Sequence, residues 1–190
     1  MTARTAAGVT ADVAATTAGL RPWSVADARA LHDAVSESPD LATQLGGAAL
    51  RTVDDCADYI TAHLLDRGAH AITVDDVAVG TVGISHLDPR HDTAWTSYWL
   101  TASARGRGLA TRAVATVARW AFDELGLFRL ELGHRVNNPA SCRVATAAGF
   151  TAEGVERAKL RYGVERFDVE THARLRTDPG PAIERLVLVR

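Results

Sequence analysis

The sequence predicts a single α/β domain: one mixed, largely antiparallel sheet flanked by helices. Three observations carry this. Apolar periodicity switches along the chain between helical and strand spacing. Strand-like runs at residues 71–74, 78–85 and 94–100 follow one another with no helix between them, as antiparallel neighbours do. A helix–strand–helix block then leads into two closing strands, 158–162 and 166–175, hinged at Gly163.

Leu20-Arg21-Pro22-Trp23 reads as a short edge strand, where proline is tolerated. Ser24 is placed to cap a helix through Ala26, Ala30, Leu31 and Val35. Gly46-Gly47 marks a loop, and Thr52-Val53-Asp54-Asp55 opens a second helix with acids where the helix dipole favours them. Asp75-Asp76 is the turn of the first hairpin. Leu109, Ala113, Val117, Ala121 and Leu125 form the apolar face of a long helix that Gly126 ends. A strand at 128–132 follows. Asn138 then suits an N-cap and Pro139 the first helical position of a short helix.

Residues 1–19 are rich in alanine and threonine and read as a disordered extension; 20–176 form the domain, and 177–190 a turn and a tail. With neither a basic start and apolar block nor an apolar run of membrane length, the chain is expected to be cytoplasmic. The charge balance of 21 basic and 23 acidic residues, net −2, argues against a nucleic-acid or membrane coat. Cys56 and Cys142 read as reduced thiols, and neither they nor the seven histidines show metal-motif spacing, so no metal is expected. Arginine supplies the positive charge apart from Lys159, a codon-usage trait rather than a mechanistic one.

The chemistry concentrates in Tyr98-Trp99-Leu100-Thr101-Ala102-Ser103-Ala104-Arg105-Gly106-Arg107-Gly108-Leu109-Ala110-Thr111. A strand ends, a glycine-spaced turn follows, and a helix begins at once. The unpaired N–H groups of a first helical turn carry partial positive charge, and glycines let a ligand approach the backbone, so a diphosphate fits. The nucleoside-triphosphate loop is absent, and the dinucleotide fingerprint fails at Thr111, where its third glycine belongs. On this pattern alone a plain strand-to-helix turn stays open.

Arg105-x-x-Gly108-x-Ala110 resembles the acetyl-coenzyme A (acetyl-CoA) loop of the GNAT superfamily of N-acetyltransferases. Asn138-x-x-Ser141 with Gly149-Phe150 is similar to the second half of that site. Phe150-x-x-Glu153-Gly154-x-x-Arg157, Asp168, and Leu20-Arg21-Pro22-Trp23 with Asp27-Ala28 extend the resemblance over about residues 20–176. It is nearest the Rim-type branch of ribosomal-protein N-terminal acetyltransferases.

The resemblance implies direct acetyl transfer from acetyl-CoA to a primary amine. A backbone N–H at or beside Leu100 would hold the thioester oxygen. The amides of Gly106, Arg107, Gly108, Leu109, Ala110 and Thr111 would hold the pyrophosphate, with charge from the Arg105 and Arg107 side chains. Asn138 and Ser141 would meet the pantetheine arm. Ser141 is the expected acid for the thiolate, against a bland role in a helical first turn, and Tyr162 has no recognisable match. Glu131 is the expected base, against the reading of an outward residue between Leu130 and Leu132.

His86 and His134 could border the acceptor pocket or lie in loops and packing. Trp95 and Trp99 share a strand face, with packing as the default. The acceptor, a protein N-terminal α-amine or a small antibiotic-like amine, would be read by loops 36–50 and 86–93, which carry Asp40, Asp88 and Asp92. A homodimer is an expectation from the family. The alternative function is a non-catalytic acyl-CoA sensor or partner module, for which Glu131 and Ser141 would be dispensable.

Overall fold

The computed structural model describes residues 16–65 and 68–189. Strand β1 (Ala18–Pro22) is followed by a 3-10 turn (Val25–Asp27) and helices α1 (Ala28–Glu37), α2 (Leu41–Gln44) and α3 (Val53–Tyr59), the last continued as a π-turn through Leu64. Next come β2 (Ala69–Val74), β3 (Val77–Asp88), β4 (Thr93–Leu100), α4 (Leu109–Asp123) and β5 (Arg129–Arg135). Helix α5 (Pro139–Ala147), β6 (Thr151–Tyr162), β7 (Glu165–Leu175) and β8 (Val187–Leu188) complete the chain.

One eight-stranded sheet runs β6-β7-β5-β4-β3-β2-β1-β8. It is antiparallel except for the β4–β5 and β1–β8 pairs. Local chemistry explains the turns. Ser24 and Asp27 form a capping box ahead of α1, and Thr52 and Asp55 form another on α3. Asp75 and Asp76 both adopt positive φ, 49° and 65°, the two-residue geometry whose twist matches a hairpin.

The sheet divides two cores. On one face α4 packs Ala113, Val114, Val117 and Ala121 against Leu20, Ile72, Val82, Leu100 and Leu130. On the other, α1 and α3 pack Leu31, Cys56 and Ile60 around Trp23 and Trp99. Trp99 meets Trp23 at a centroid distance of 6.2 Å, whereas Trp95 lies under the Lys159 ammonium, 5.3 Å from its ring centre. The two tryptophans share a face but serve different neighbours.

The structure corrects several expected boundaries. The domain starts at Ala18, and most of the 1–19 extension lies outside the described residues. Residues 177–189 are not a tail: Leu186 is buried, its N–H donates to Thr116 Oγ1 at 2.9 Å, and Val189 N donates to Leu20 O at 2.8 Å. That segment covers the open edge of β1, which would otherwise leave a row of unpaired backbone groups. Strand β6 begins at Thr151 rather than 158, and a register shift between Glu156 and Leu160 interrupts it. Among the described residues no helix is long and apolar enough to cross a membrane.

Candidate functional site

The site begins where two strands part. Strands β4 and β5 pair only from Thr93↔Arg129 to Trp95↔Glu131. Beyond that, β4 keeps β3 as its partner and β5 keeps β7. Thr101 N donates to Val79 O at 2.9 Å, which sets the phase of the β4 ladder. In an antiparallel ladder alternate residues face the partner. The N–H groups of Tyr98 and Leu100 therefore face the side that β5 has left. Leu100 stands where a thioester oxygen could be held, and Tyr98 offers an equivalent N–H two residues back.

The glycine turn expected to cradle an anion lies at the end of this gap. Gly106 and Gly108 take φ of 75° and 73°, and a Cβ on either would meet nothing within 4 Å. Gly108 is the N-cap of α4 and brings no side chain to cap it. The first-turn N–H groups of Leu109, Ala110 and Thr111 thus have no partner inside the helix, the arrangement that favours an anion. Leu109 and Ala110 send their side chains into the core, so only their backbones reach a ligand.

The two arginines divide the work. Arg105 Nε donates to Leu100 O at 3.1 Å and Arg105 Nη2 to Asp40 Oδ2 at 2.8 Å. Its guanidinium is turned back toward β4 and the start of α2. This differs from the expectation that its side chain adds charge to the cradle. Arg107 is exposed and has no partner among the described residues. The turn ahead of the cradle is braced from α1: Ser103 N donates to Glu37 Oε1 and Ala102 N to Ser38 Oγ, both at 2.7 Å.

Helix α5 closes the other side. Asn138 Oδ1 accepts from Ser141 N at 3.2 Å, while Asn138 Nδ2 donates to Ser141 Oγ at 3.1 Å. The amide is therefore fixed in one orientation, and the Ser141 hydroxyl, as acceptor, keeps its own proton to give. Tyr98 reaches the same turn, its hydroxyl donating to Ser141 O at 3.3 Å. Burial pushes the Tyr98 phenol up, with the Cys142 side chain adding to it and the Ser141 bond opposing. Sequence reading missed this side chain, although its place in β4 made it visible.

Glu131 does not fit the role of base. Its Oε1 accepts from Arg129 Nε at 2.7 Å, and Arg129 also binds Glu153, whose carboxyl that bond holds below its ordinary range. Glu131 pairs with Trp95, at the closed end of the gap. Five residues of strand, roughly 17 Å, separate Trp95 from Leu100. An ion-paired carboxylate at that position belongs to the outer face of the sheet. Tyr162 also stands apart, packed on Phe167 with a ring separation of 5.4 Å in the β6–β7 hairpin.

A cleft of about 270 Å³ opens between α3 and strands β3–β4. Gln44, Tyr59, His63, Thr81, Ser97 and Trp99 are among its walls, and Tyr98 connects it to the gap. Loop 36–50 contributes through Gln44 and Leu45, but loop 86–93 does not line it. His86 is exposed beside Ser85, and His134 is buried. Asp40 is already paired with Arg105, and none of Asp40, Asp88 and Asp92 lines the cleft.

The chain matches the family model for an acetyltransferase (GNAT) domain over residues 18–151. It is 38% identical over 88 residues to the probable N-acetyltransferase YjcK of Bacillus subtilis, covering 46% of this chain and 49% of that one. It is 29% identical over 101 residues to the ribosomal-protein-serine acetyltransferase of Escherichia coli, covering 53% and 56%. The chain spans about half the length of the curated relatives it matches. Among solved structures, RimL, a ribosomal alpha-N-protein acetyltransferase in complex with coenzyme A, superposes with a TM-score of 0.71 at 22% identity, covering 84% of this chain and 94% of that one. A strand gap, a glycine cradle and a family match that spans both place the chain in the GNAT acetyltransferase family.

Proposed function

We propose that this chain transfers the acetyl group of acetyl-CoA to a primary amine by direct attack, with no acetyl-enzyme intermediate. The observation that carries the reading is the uncapped Gly106–Gly108 cradle at the end of a gap lined by unpaired β4 N–H groups. The N–H groups of residues 106–111, with Arg107, hold the pyrophosphate. The N–H of Leu100 or Tyr98 holds the thioester oxygen and stabilises the negative charge it gains on attack. The amine nitrogen bonds to the carbonyl carbon and sheds a proton to His63 or water, the carbon–sulfur bond breaks, the thiolate takes the Ser141 hydroxyl proton, and Ser141 regains a proton from solvent.

The amine enters through the cleft. His63 supplies the one imidazole among the described residues lining it and is the side chain we assign to take the amine's proton. Among the described residues no carboxylate lines the cleft. Its apolar and aromatic walls, among them Leu45, Tyr59, Leu64 and Trp99, favour an acceptor whose amine stands beside apolar or aromatic groups, such as a protein N-terminus.

The test pairs binding with turnover. At about 100 times its dissociation constant acetyl-CoA adds roughly 2.7 kcal/mol, raising the melting midpoint by about 5–10 °C. Gly108→Asp, which puts a carboxylate in the cradle, should abolish that rise. Release of free thiol with an N-terminal peptide or a small amine establishes the transferase. A midpoint rise with no thiol release from any amine would mark an acyl-CoA-binding module instead.

A further inference from the structure

We propose that His134, His172, Glu170 and Cys142 form a binding site for a divalent transition-metal ion of zinc type, set beneath the first turn of α5. His134 Nε2 lies 3.0 Å from His172 Nε2, and each nitrogen lies 3.1 Å from Glu170 Oε2. The Cys142 sulfur completes a group whose ligand atoms all fall within 4.8 Å of one another.

The register of the sheet builds this group. Strands β5 and β7 pair His134 directly with Glu170, and Leu132 with His172. Glu170 and His172, two apart, share a strand face with their partner His134. Helix α5 lays Cys142 over them. The side chains of the two histidines are 5% and 1% exposed and that of Glu170 30%, so the floor is dry and the mouth is open.

The hydrogen-bond directions leave this group one donor short. His134 Nδ1 stands 3.0 Å from Arg135 O, a carbonyl that only accepts, so the ring proton sits on Nδ1 and Nε2 carries a lone pair. Glu170 is an acceptor. His172 Nε2 can donate one proton, which leaves His134 Nε2 and Glu170 Oε2 facing each other with lone pairs. A divalent ion resolves that conflict and recruits the Cys142 thiolate as well, whereas an extra proton on His134 would leave the thiol a bystander. His172 Nδ1 is buried without a partner in either case and does not distinguish them.

The geometry and donor set suit the ion. Nitrogen and oxygen ligands about 2.0–2.1 Å from a tetrahedral zinc lie roughly 3.3–3.4 Å apart, so the three nitrogen and oxygen donors need to open by only a few tenths of an ångström, while the Cys142 sulfur, within 4.8 Å, closes in by a rotation of its side chain. The His134 contact to Arg135 O is the outer bond that orients a metal-binding imidazole. Two imidazoles, a carboxylate and a thiolate favour zinc or cobalt over magnesium or calcium. A bound ion would tie α5, and with it Asn138 and Ser141, to strands β5 and β7.

The experiment uses the whole chain, stripped with chelator and then titrated with Zn²⁺ and with Co²⁺ as a coloured probe. One equivalent should bind, raise the melting midpoint without any acetyl-CoA, and give a thiolate-to-cobalt absorption band. Cys142→Ser should abolish the band and weaken binding about 10–100-fold, and Glu170→Gln should weaken it comparably. Circular dichroism confirms that both variants are folded. His134→Gln and His172→Gln should lose the ion, but their burial makes them the second line of evidence. Failure of the folded parent chain to bind either ion overturns the proposal, as does binding that all four variants leave unchanged.

Discussion

The guanidinium of Arg105 binds Leu100 O and the carboxylate of Asp40, 3.1 Å and 2.8 Å away, and so links the end of β4 to the start of α2. The cation that opens the glycine pattern holds the strand end in place, and the next arginine, Arg107, is exposed on the glycine turn with no partner among the described residues. This division separates two effects that would otherwise be confounded.

Arg107→Ala should raise the KM for acetyl-CoA several-fold, with a loss that shrinks at high salt, and shift stability by less than about 0.5 kcal/mol. Arg105→Ala should instead lower stability by about 1 kcal/mol, because it frees the Leu100 carbonyl and one turn contact. Thermal melts alongside acetyl-CoA titrations at two salt concentrations check both.

Gly80 stands opposite Leu100 in the β3–β4 ladder, and a Cβ there would fall 2.3 Å from Trp99 O and 2.6 Å from Leu100 Cδ2. Backbone cannot yield as a side-chain tip does. Gly80→Ala should therefore cost about 1–3 kcal/mol and also raise the acetyl-CoA KM, since it pushes the strand that carries the gap-facing N–H groups. A melt and a kinetic titration of the same preparation give both numbers.

Ser141→Ala should reduce kcat by about 10–100-fold while leaving acetyl-CoA binding within a factor of a few, as expected when a proton donor alone is removed. Asn138→Ala should cost about 1 kcal/mol through loss of the α5 cap and lower kcat less, because the hydroxyl remains. An unchanged kcat in Ser141→Ala would remove Ser141 from the reaction.

His70 is buried edge-on to Trp120, at a ring separation of 5.3 Å. Burial holds its pKa below the ordinary 6.5, against a smaller opposing contact with the Gly68 backbone. The unfolded chain thus takes up a proton on His70 at a higher pH than the folded one. The stabilisation is complete above about pH 6.5 and is lost as pH falls toward the depressed folded value. Chemical denaturation between pH 7.5 and about pH 5 should show this slope, and His70→Phe should flatten it.

Local patterns made much of this protein legible. Periodicity, the Ser24 and Thr52 caps, the Asp75-Asp76 turn and the glycine-spaced entry into α4 all act over a few residues, where sequence neighbours are also neighbours in space. The cradle was readable for that reason: its N–H groups belong to consecutive residues, and Gly106 and Gly108 take the positive φ their spacing suggests. Asn138 and Ser141 likewise lie within one helical turn.

The tertiary structure decided what depends on register and on partners remote in sequence. Glu131 alternates with leucines in either reading, and only its pairing with Trp95 and Arg129 removes it from the gap. Arg105 finds Asp40 only because α2 folds against the end of β4, 65 positions away in sequence. Leu186 becomes core only where β1 and α4 offer it a surface. His134, Cys142, Glu170 and His172 show no metal spacing along the chain, since a strand pairing and a helix crossing bring them within 4.8 Å. The order of elements from β1 to β7, apart from the short α2, and the glycine turn into α4 are legible along the chain, because they follow from short-range sterics and hydrogen bonding. Strand pairing and packing decided which charges are spent, which hydroxyl is free and which side chains converge, because these are fixed only when the whole sheet closes.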